Sequence, residues 1–402
     1  MTPNSDRSYK MKLRDVENAF KYRRIPYPKR SVELIALLAI SCTFFLFMHT
    51  SKLNSRLKEM EVKLQPSEFS ALGLTGNHIS GHDAGKPDDI NTLHGTYQYL
   101  KSTGQLANLQ AAKLNNTAHA EREFILFNRL EKVGSQSMTR LLGHLSNLNG
   151  FHTFRNQIPD VKKPLFDFEE EVSFAEELQE IEDPAAYVEH TNWINFTAHD
   201  MPRPIYINLV RHPIQKVISA YYYARHPMIY ANSLLRNPNK PVDNKEFFDR
   251  SFNECVRKRI APYCNFDAHL NYNKDWRRFT LHLCGNQKVC LNFNSEEATQ
   301  IAKLHVEKEY AVVGSWEHTN ITLAVLEAYI PRFFADATNQ YYLHQEKFRI
   351  NVTPHDKHLD EDVEAYLNQQ FSYEIDLYHF CMQRLYKQYI AIKKVAQLAD
   401  SH

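Results

Sequence analysis

No excess of positive charge runs through this sequence: 48 Lys and Arg stand against 47 Asp and Glu, a formal net charge of +1. That balance excludes a globally polybasic nucleic-acid binder, so an anionic partner must be met by a local patch. No Cys-x-x-Cys pair occurs, which removes the common zinc-ligand spacing. The Gly-x-x-x-x-Gly-Lys-Ser/Thr nucleotide loop is missing. No internal repeat is visible. There is one long uncharged apolar run, residues 34–48, and no Ala-x-Ala cleavage site follows it.

What is present builds on that run. Extended to residues 31–50 it approaches the length of a membrane span. Lys21, Arg23, Arg24, Lys29 and Arg30 precede it, and the positive-inside rule puts residues 1–30 in the cytosol and the rest in the lumen. The reading is a type II signal-anchor, and the shortness of the span suits an early-secretory or Golgi membrane. Sequons at Asn115, Asn195, Asn320 and Asn351 agree with a luminal, glycosylated chain. Leu53, Leu57, Met60 and Leu64 form a short amphipathic seam that could support homo-oligomerisation. Residues 51–120, rich in Gly, Asn, Ser, Thr and His from residue 66, read as a flexible stem. Four cysteines form two close pairs, Cys255 with Cys264 and Cys284 with Cys290. In an oxidising lumen these are expected as disulfides.

From residue 121 to about 395 the pattern is that of a folded domain. Hydrophobic residues make up 43% of the chain, enough for a packed core. Phe124–Phe127, Ile205–Val210 and Tyr310–Val313 are short apolar runs of the buried-strand kind. Each is followed by a loop and a helical stripe, the first through Met138, Leu141, Leu142, Leu145 and Leu148. Repeated strand–loop–helix units predict an α/β fold, a parallel sheet flanked by helices, with ligands at the carboxyl ends of the strands.

Two of those ends carry anion-binding chemistry. After the first strand comes Asn128–Ser137 (NRLEKVGSQS), a tight loop with Lys132 and Gly134 that runs into a helix N-terminus bearing Ser135 and Ser137. Backbone N–H groups and the helix dipole favour an anion there. After the second strand comes Arg211, with Ser219 eight residues on. A guanidinium beside a hydroxyl suits a second phosphate. Two such sites at the ends of two parallel strands suit a nucleotide with phosphates at both its 5′ and 3′ positions.

These stretches resemble carbohydrate sulfotransferases, and the wording NRLEKVGSQS, PIYINLVRHPIQKVISAYYY and PRFFADAT is similar to the uronosyl and heparan sulfate 2-O-sulfotransferase family over about residues 121–390. The resemblance implies a P-loop-like fold that uses PAPS (3′-phosphoadenosine-5′-phosphosulfate) without a metal. It implies an acidic glycan acceptor, sulfated at the 2-hydroxyl of a hexuronic acid. Matched residue by residue, Arg129, Lys132, Val133, Gly134, Ser135, Gln136 and Ser137 would hold the 5′-phosphosulfate, and Arg211 and Ser219 the 3′-phosphate. Arg349 and Asn351 would belong to a segment that closes over the donor. His190 aligns with the family's histidine base, and Lys132 would stabilise the leaving phosphate. The chain departs from the family at Val188, where a second histidine is usual, at Glu131 in place of proline and at His212 in place of aspartate. Arg225, Arg236, Arg257, Lys258, Arg259, Arg277 and Arg278 are the basic candidates for acceptor binding. Two other classes compete: a glycan-binding membrane protein that has lost catalysis, and a luminal kinase. The kinase would need metal-holding carboxylates beside the phosphates, and neither loop has an Asp-rich signature.

Overall fold

The computed structural model describes residues 90–155, 165–266, 277–348 and 358–400, with side chains through residue 394. The expected cytosolic tail, membrane span and first part of the stem lie outside the described residues, as do Arg349 and Asn351. Among the described residues, no helix is long and apolar enough to cross a membrane.

Folded chain begins earlier than the expected boundary at residue 121. Helix α1 spans Leu93–Ser102, and the Thr92 hydroxyl caps it by accepting from the Gly95 amide at 2.9 Å. Its Tyr97 and Leu100 bury against Ile390 near the C-terminus. Further along, the Asn116 side chain donates to the carbonyls of Glu307 and Tyr310. The described part of the expected stem, residues 90–120, is therefore packed on the domain. Its polar composition hid a helix that buries only a narrow apolar stripe.

The centre is a five-stranded, all-parallel sheet. The strands are β1 (Phe124–Asn128), β2 (His152–Arg155), β3 (Ala185–Glu189), β4 (Ile205–Leu209) and β5 (Tyr310–Gly314), in the spatial order β2-β3-β1-β4-β5. Every residue of β1, β4 and β5 is buried, because helices cover both faces, and a continuous apolar run results. The three strands expected from sequence are these three. In register, Asn128 at the end of β1 pairs with Glu189 at the end of β3.

Between the strands run α2 (Ser135–Asn149), α3 (Phe168–Gln179), α4 (Pro213–Arg225), the short α5 (Thr280–Cys284) and α6 (Glu296–Lys308); α7 (Thr319–Tyr329) follows β5, and α8 (Ser372–Asp400) closes the fold. On α2, Met138, Leu141, Leu142 and Leu145 are buried as expected, but Leu148 is 55% exposed, one turn past the end of the core. The helix stops at Gly150, left-handed with φ 64°. Both expected disulfides are present, Cys255–Cys264 and Cys284–Cys290, while Cys381 is free and buried.

Strand order locates the functional crevice. The chain leaves β1 toward β2 and β3, then crosses to β4 and leaves β4 toward β5. The connections after β1 and after β4 therefore diverge, and the gap between their carboxyl ends is a topological switch point, where open α/β sheets bind ligands.

Candidate active site

A buried polar clamp fixes the two strand ends that flank the gap. The Asn208 side-chain amide donates to both oxygens of Asn128, backbone and side chain, at 2.7 and 3.0 Å, and the Tyr310 hydroxyl donates to Asn128 Oδ1 at 3.0 Å. Asn128 in turn donates to the carbonyl of His282. The three strands β1, β4 and β5 thus end at a fixed height.

The loop after β1 wraps tightly. Lys132 has φ 63° and Gly134 φ 87°, both left-handed. For a lysine that conformation costs roughly 1–2 kcal/mol, a strain typical of functional loops. The Ser135 hydroxyl donates to the Leu130 carbonyl at 2.7 Å and closes the loop, so its proton is already committed. Trp316, just after β5, donates its indole N–H to the Gly134 carbonyl at 2.7 Å. A Cβ at Gly134 would sit 2.0 Å from Trp316 Cδ1. Gly134→Ala is therefore expected to destabilise the protein by more than about 2 kcal/mol, from positive φ plus steric overlap. A melting temperature equal to the parent's would contradict this close approach.

Arg211 follows β4 and donates to the Lys132 carbonyl at 3.3 Å, which ties the two loops together. Next along, the His212 amide donates to Glu317 at 3.1 Å, and Glu317 also accepts from the Tyr378 hydroxyl at 2.8 Å. Ser219 lies in α4 and is only 4% exposed. The Lys132 ammonium rests 3.5 Å from the centre of the Tyr223 ring, on the same helix.

Positive charge dominates the gap. Arg129, Lys132 and Arg211 come together, and among the described residues none of them is in an ion pair. Lys132 falls to about 8, through loss of water and then through the Arg211 guanidinium. Arg129 falls to about 10, through burial and then Arg155, and Arg211 is lowered mainly by burial. Among the described residues, the Arg129 Nε is buried with no hydrogen-bond partner, and the one side-chain bond of this arginine is a long one, 3.4 Å, to Gln136. Glu131 and Glu189 act on Arg129, Glu131 on Lys132 and Glu317 on Arg211 from beyond ion-pair distance, and packed cations so weakly compensated are costly unless an anion joins them.

His190 emerges one residue past β3, so the sheet itself aims it at this cluster. Its Nδ1 lies 2.9 Å from the Arg129 carbonyl. A carbonyl only accepts, so Nδ1 carries the proton and the Nε2 lone pair is free. Packing and then the Arg129 guanidinium lower its pKa to about 4, which keeps the ring neutral. Its outer face is open to solvent.

The structure thus brings Arg129, Lys132, Gly134, Gln136, His190 and Arg211 around one gap. Val133 instead fills the core, so only its backbone could meet a ligand, and Ser137 is nearly buried in the first turn of α2. Most of the expected acceptor-binding cations are otherwise engaged. Arg225 stacks on Tyr221 and Phe247, Arg257 pairs with Asp360 and Asp362, and Lys258 pairs with Glu254. Arg277 and Arg278 are buried. Arg236 and Arg259 stay exposed. Among the sequons, Asn320 is exposed on α7, Asn195 is exposed and caps a 3₁₀ turn, and Asn115 donates to the Tyr329 carbonyl at 3.4 Å. Sequence reading missed Tyr223, Trp316, Glu317 and His282. The only available signal was that Trp316 and Glu317 follow the third strand. Among the described residues, no group of three or more His, Cys, Asp or Glu could hold a metal ion.

Known proteins are similar to this chain in sequence. The chain is 45% identical to the uronyl 2-sulfotransferase homolog pip of Drosophila melanogaster, over 98% of this chain and 95% of that protein. It is 28% identical to heparan sulfate 2-O-sulfotransferase 1 of Xenopus laevis over 65% of this chain and 70% of that one. To human uronyl 2-sulfotransferase it is 26% identical, over 65% of this chain and 62% of that protein. A model of the sulfotransferase family matches residues 115–381, which covers the sheet and the whole gap between β1 and β4, and the chain belongs to that family.

Proposed function

We propose that this protein transfers sulfate from PAPS to a hydroxyl of an acidic glycan, the 2-hydroxyl of a hexuronic acid. The observation that carries the reading is the cluster of Arg129, Lys132 and Arg211, none of them in an ion pair among the described residues, facing a neutral imidazole whose Nε2 is its acceptor atom. Those residues fit a donor with several phosphate charges, and the orphaned Arg129 Nε supplies a further donor for it. PAPS supplies the sulfuryl group and leaves as adenosine 3′,5′-bisphosphate.

In this reading each residue has one task. The Lys132–Ser137 loop and the N-terminus of α2 hold the 5′ end of the donor, with Arg129 and Gln136 beside it. Arg211 and Ser219 hold the 3′-phosphate. His190 Nε2 takes the proton from the attacking hydroxyl, and Lys132 neutralises charge on the leaving phosphate oxygen. Arg349 and Asn351 close over the donor. The protein sits as a type II, single-pass protein of the Golgi membrane, a placement supported by the basic flank before the apolar run, the sequons and the two disulfides.

The names of its relatives favour a uronic-acid acceptor, heparan sulfate among them. Mass spectrometry of glycans from cells with and without the protein tests this. A loss of 2-O-sulfated uronate on deletion is expected. Unchanged glycan sulfation, with the bisphosphate still bound by the protein, would support a glycan-binding protein without catalysis instead.

A further inference from the structure

A second imidazole stands beside His190. His282 lies on α5, whose position is fixed at both ends. Its carbonyl accepts from Asn128 at the end of β1 at 3.0 Å and from the Trp193 amide at 2.8 Å. The Cys284–Cys290 disulfide then ties the same helix to the following turn. The ring is equally constrained. Its Nδ1 is 3.1 Å from Asn192 Oδ1, Asn192 Nδ2 donates to Asn286 Oδ1 at 2.9 Å, and Asn286 Nδ2 donates to Glu171 at 3.1 Å.

That relay has a direction. Glu171 accepts from the Asn286 amide, which orients Asn286 to present its oxygen to the Asn192 amide. Asn192 then presents its own oxygen to His282. An amide oxygen only accepts, so His282 carries its proton on Nδ1 and its lone pair on Nε2. Among the described residues Nε2 has no hydrogen-bond partner, and the residue is part-exposed. Burial, then His190, Lys216 and Arg278, hold its pKa down to about 3, so the ring stays neutral. The network leaves Nε2 as the ring's one acceptor atom, in a ring close enough to His190 for the two imidazoles to act on each other electrostatically.

We propose that His282 is an acceptor-binding, specificity-determining residue: its Nε2 accepts a hydrogen bond from a hydroxyl of the glycan next to the one that His190 deprotonates. The inference rests on the sulfotransferase reading above. A hydroxyl-bearing sugar is the ligand class this atom suits, because a neutral lone pair accepts from a hydroxyl but has no proton to offer a carboxylate or sulfate. His282 thereby separates the binding of the acceptor from the binding of the donor, which is met by Arg129, Lys132 and Arg211.

The test uses the full-length chain, PAPS, and 2-O-desulfated heparin as acceptor. In His282→Leu the acceptor KM is expected to rise roughly three- to tenfold, the scale of one neutral hydrogen bond. The KM for PAPS and the Kd for adenosine 3′,5′-bisphosphate stay as in the parent. His282→Gln, which can present an oxygen at the same place, recovers most of the acceptor affinity. Asn192→Ala, which releases the ring's tautomer, raises the acceptor KM severalfold. An unchanged acceptor KM in a His282→Leu protein that binds the bisphosphate normally overturns the proposal. If His282→Leu does not fold, Asn192→Ala decides in the same way. Absence of sulfate transfer by the wild-type chain sinks the parent reading and this inference with it. Transfer with an unaltered acceptor KM sinks this inference alone.

Discussion

Replacing His190 by alanine is expected to lower kcat by at least about 100-fold, the usual size of a lost general base. The argument is geometric first. The residue follows β3 directly, its Nδ1 is held at 2.9 Å by the Arg129 carbonyl, and Nε2 is left as the only basic atom. Its affinity for adenosine 3′,5′-bisphosphate should hardly change, since the donor is met by other residues. The pH profile adds a second check. A base works only when unprotonated, so kcat/KM falls as pH drops through the pKa of the free protein. With His190 lowered to about 4, chiefly by burial and then by Arg129, that acid limb lies below the ordinary histidine value of 6.5. Activity at pH 6 is therefore close to that at pH 7. A limb centred at 6.5 or above, or full activity in His190→Ala, would remove His190 from the role.

Lys132→Ala is expected to cost at least about 100-fold in kcat, and to weaken donor binding as well. Removing one preorganised donor to a developing oxyanion typically costs 10²–10³-fold. Lys132 is strained into the left-handed region, stacked on Tyr223, and tied through its own carbonyl to Arg211. Its pKa of about 8 means it is charged at neutral pH but loses its proton in mild alkali. The sign follows: the cation is the binding form, so kcat/KM for PAPS declines as pH rises through about 8. Lys132→Arg, which stays charged, is expected to abolish that alkaline decline while lowering the maximum. A decline that persists unchanged in Lys132→Arg would assign it to another group.

Parts of this architecture could be read directly from the residues. Strands β1, β4 and β5 are buried on both faces, so each is an apolar run with a helical stripe after it. The loop at Lys132 and the arginine at 211 were legible for the same reason, since they sit where such strands stop. Strands β3 and β2 were not. Ala185–Glu189 contains two alanines and a glutamate, and His152–Arg155 is an exposed edge, so pairing with β1 and β3 rather than composition makes them strands.

His190 was reachable only through resemblance, because nothing local distinguishes it among 20 histidines. Tyr223, Trp316, Glu317 and His282 join the gap through long-range contacts. Asn128 and His282, for example, are 154 residues apart. The same limit applied to the basic residues. Arg225, Arg257 and Arg278 look alike in sequence, and only packing shows that one stacks on aromatics, one pairs with two aspartates and one is buried.

One measurement bears most directly on the central claim. The full-length protein is supplied with PAPS labelled in its sulfuryl group and with 2-O-desulfated heparin, and the product is digested to disaccharides. The expected result is label in 2-O-sulfated uronate units, with one bisphosphate released per sulfate transferred. Tight bisphosphate binding with no label in the glycan, or label confined to another position, would contradict it.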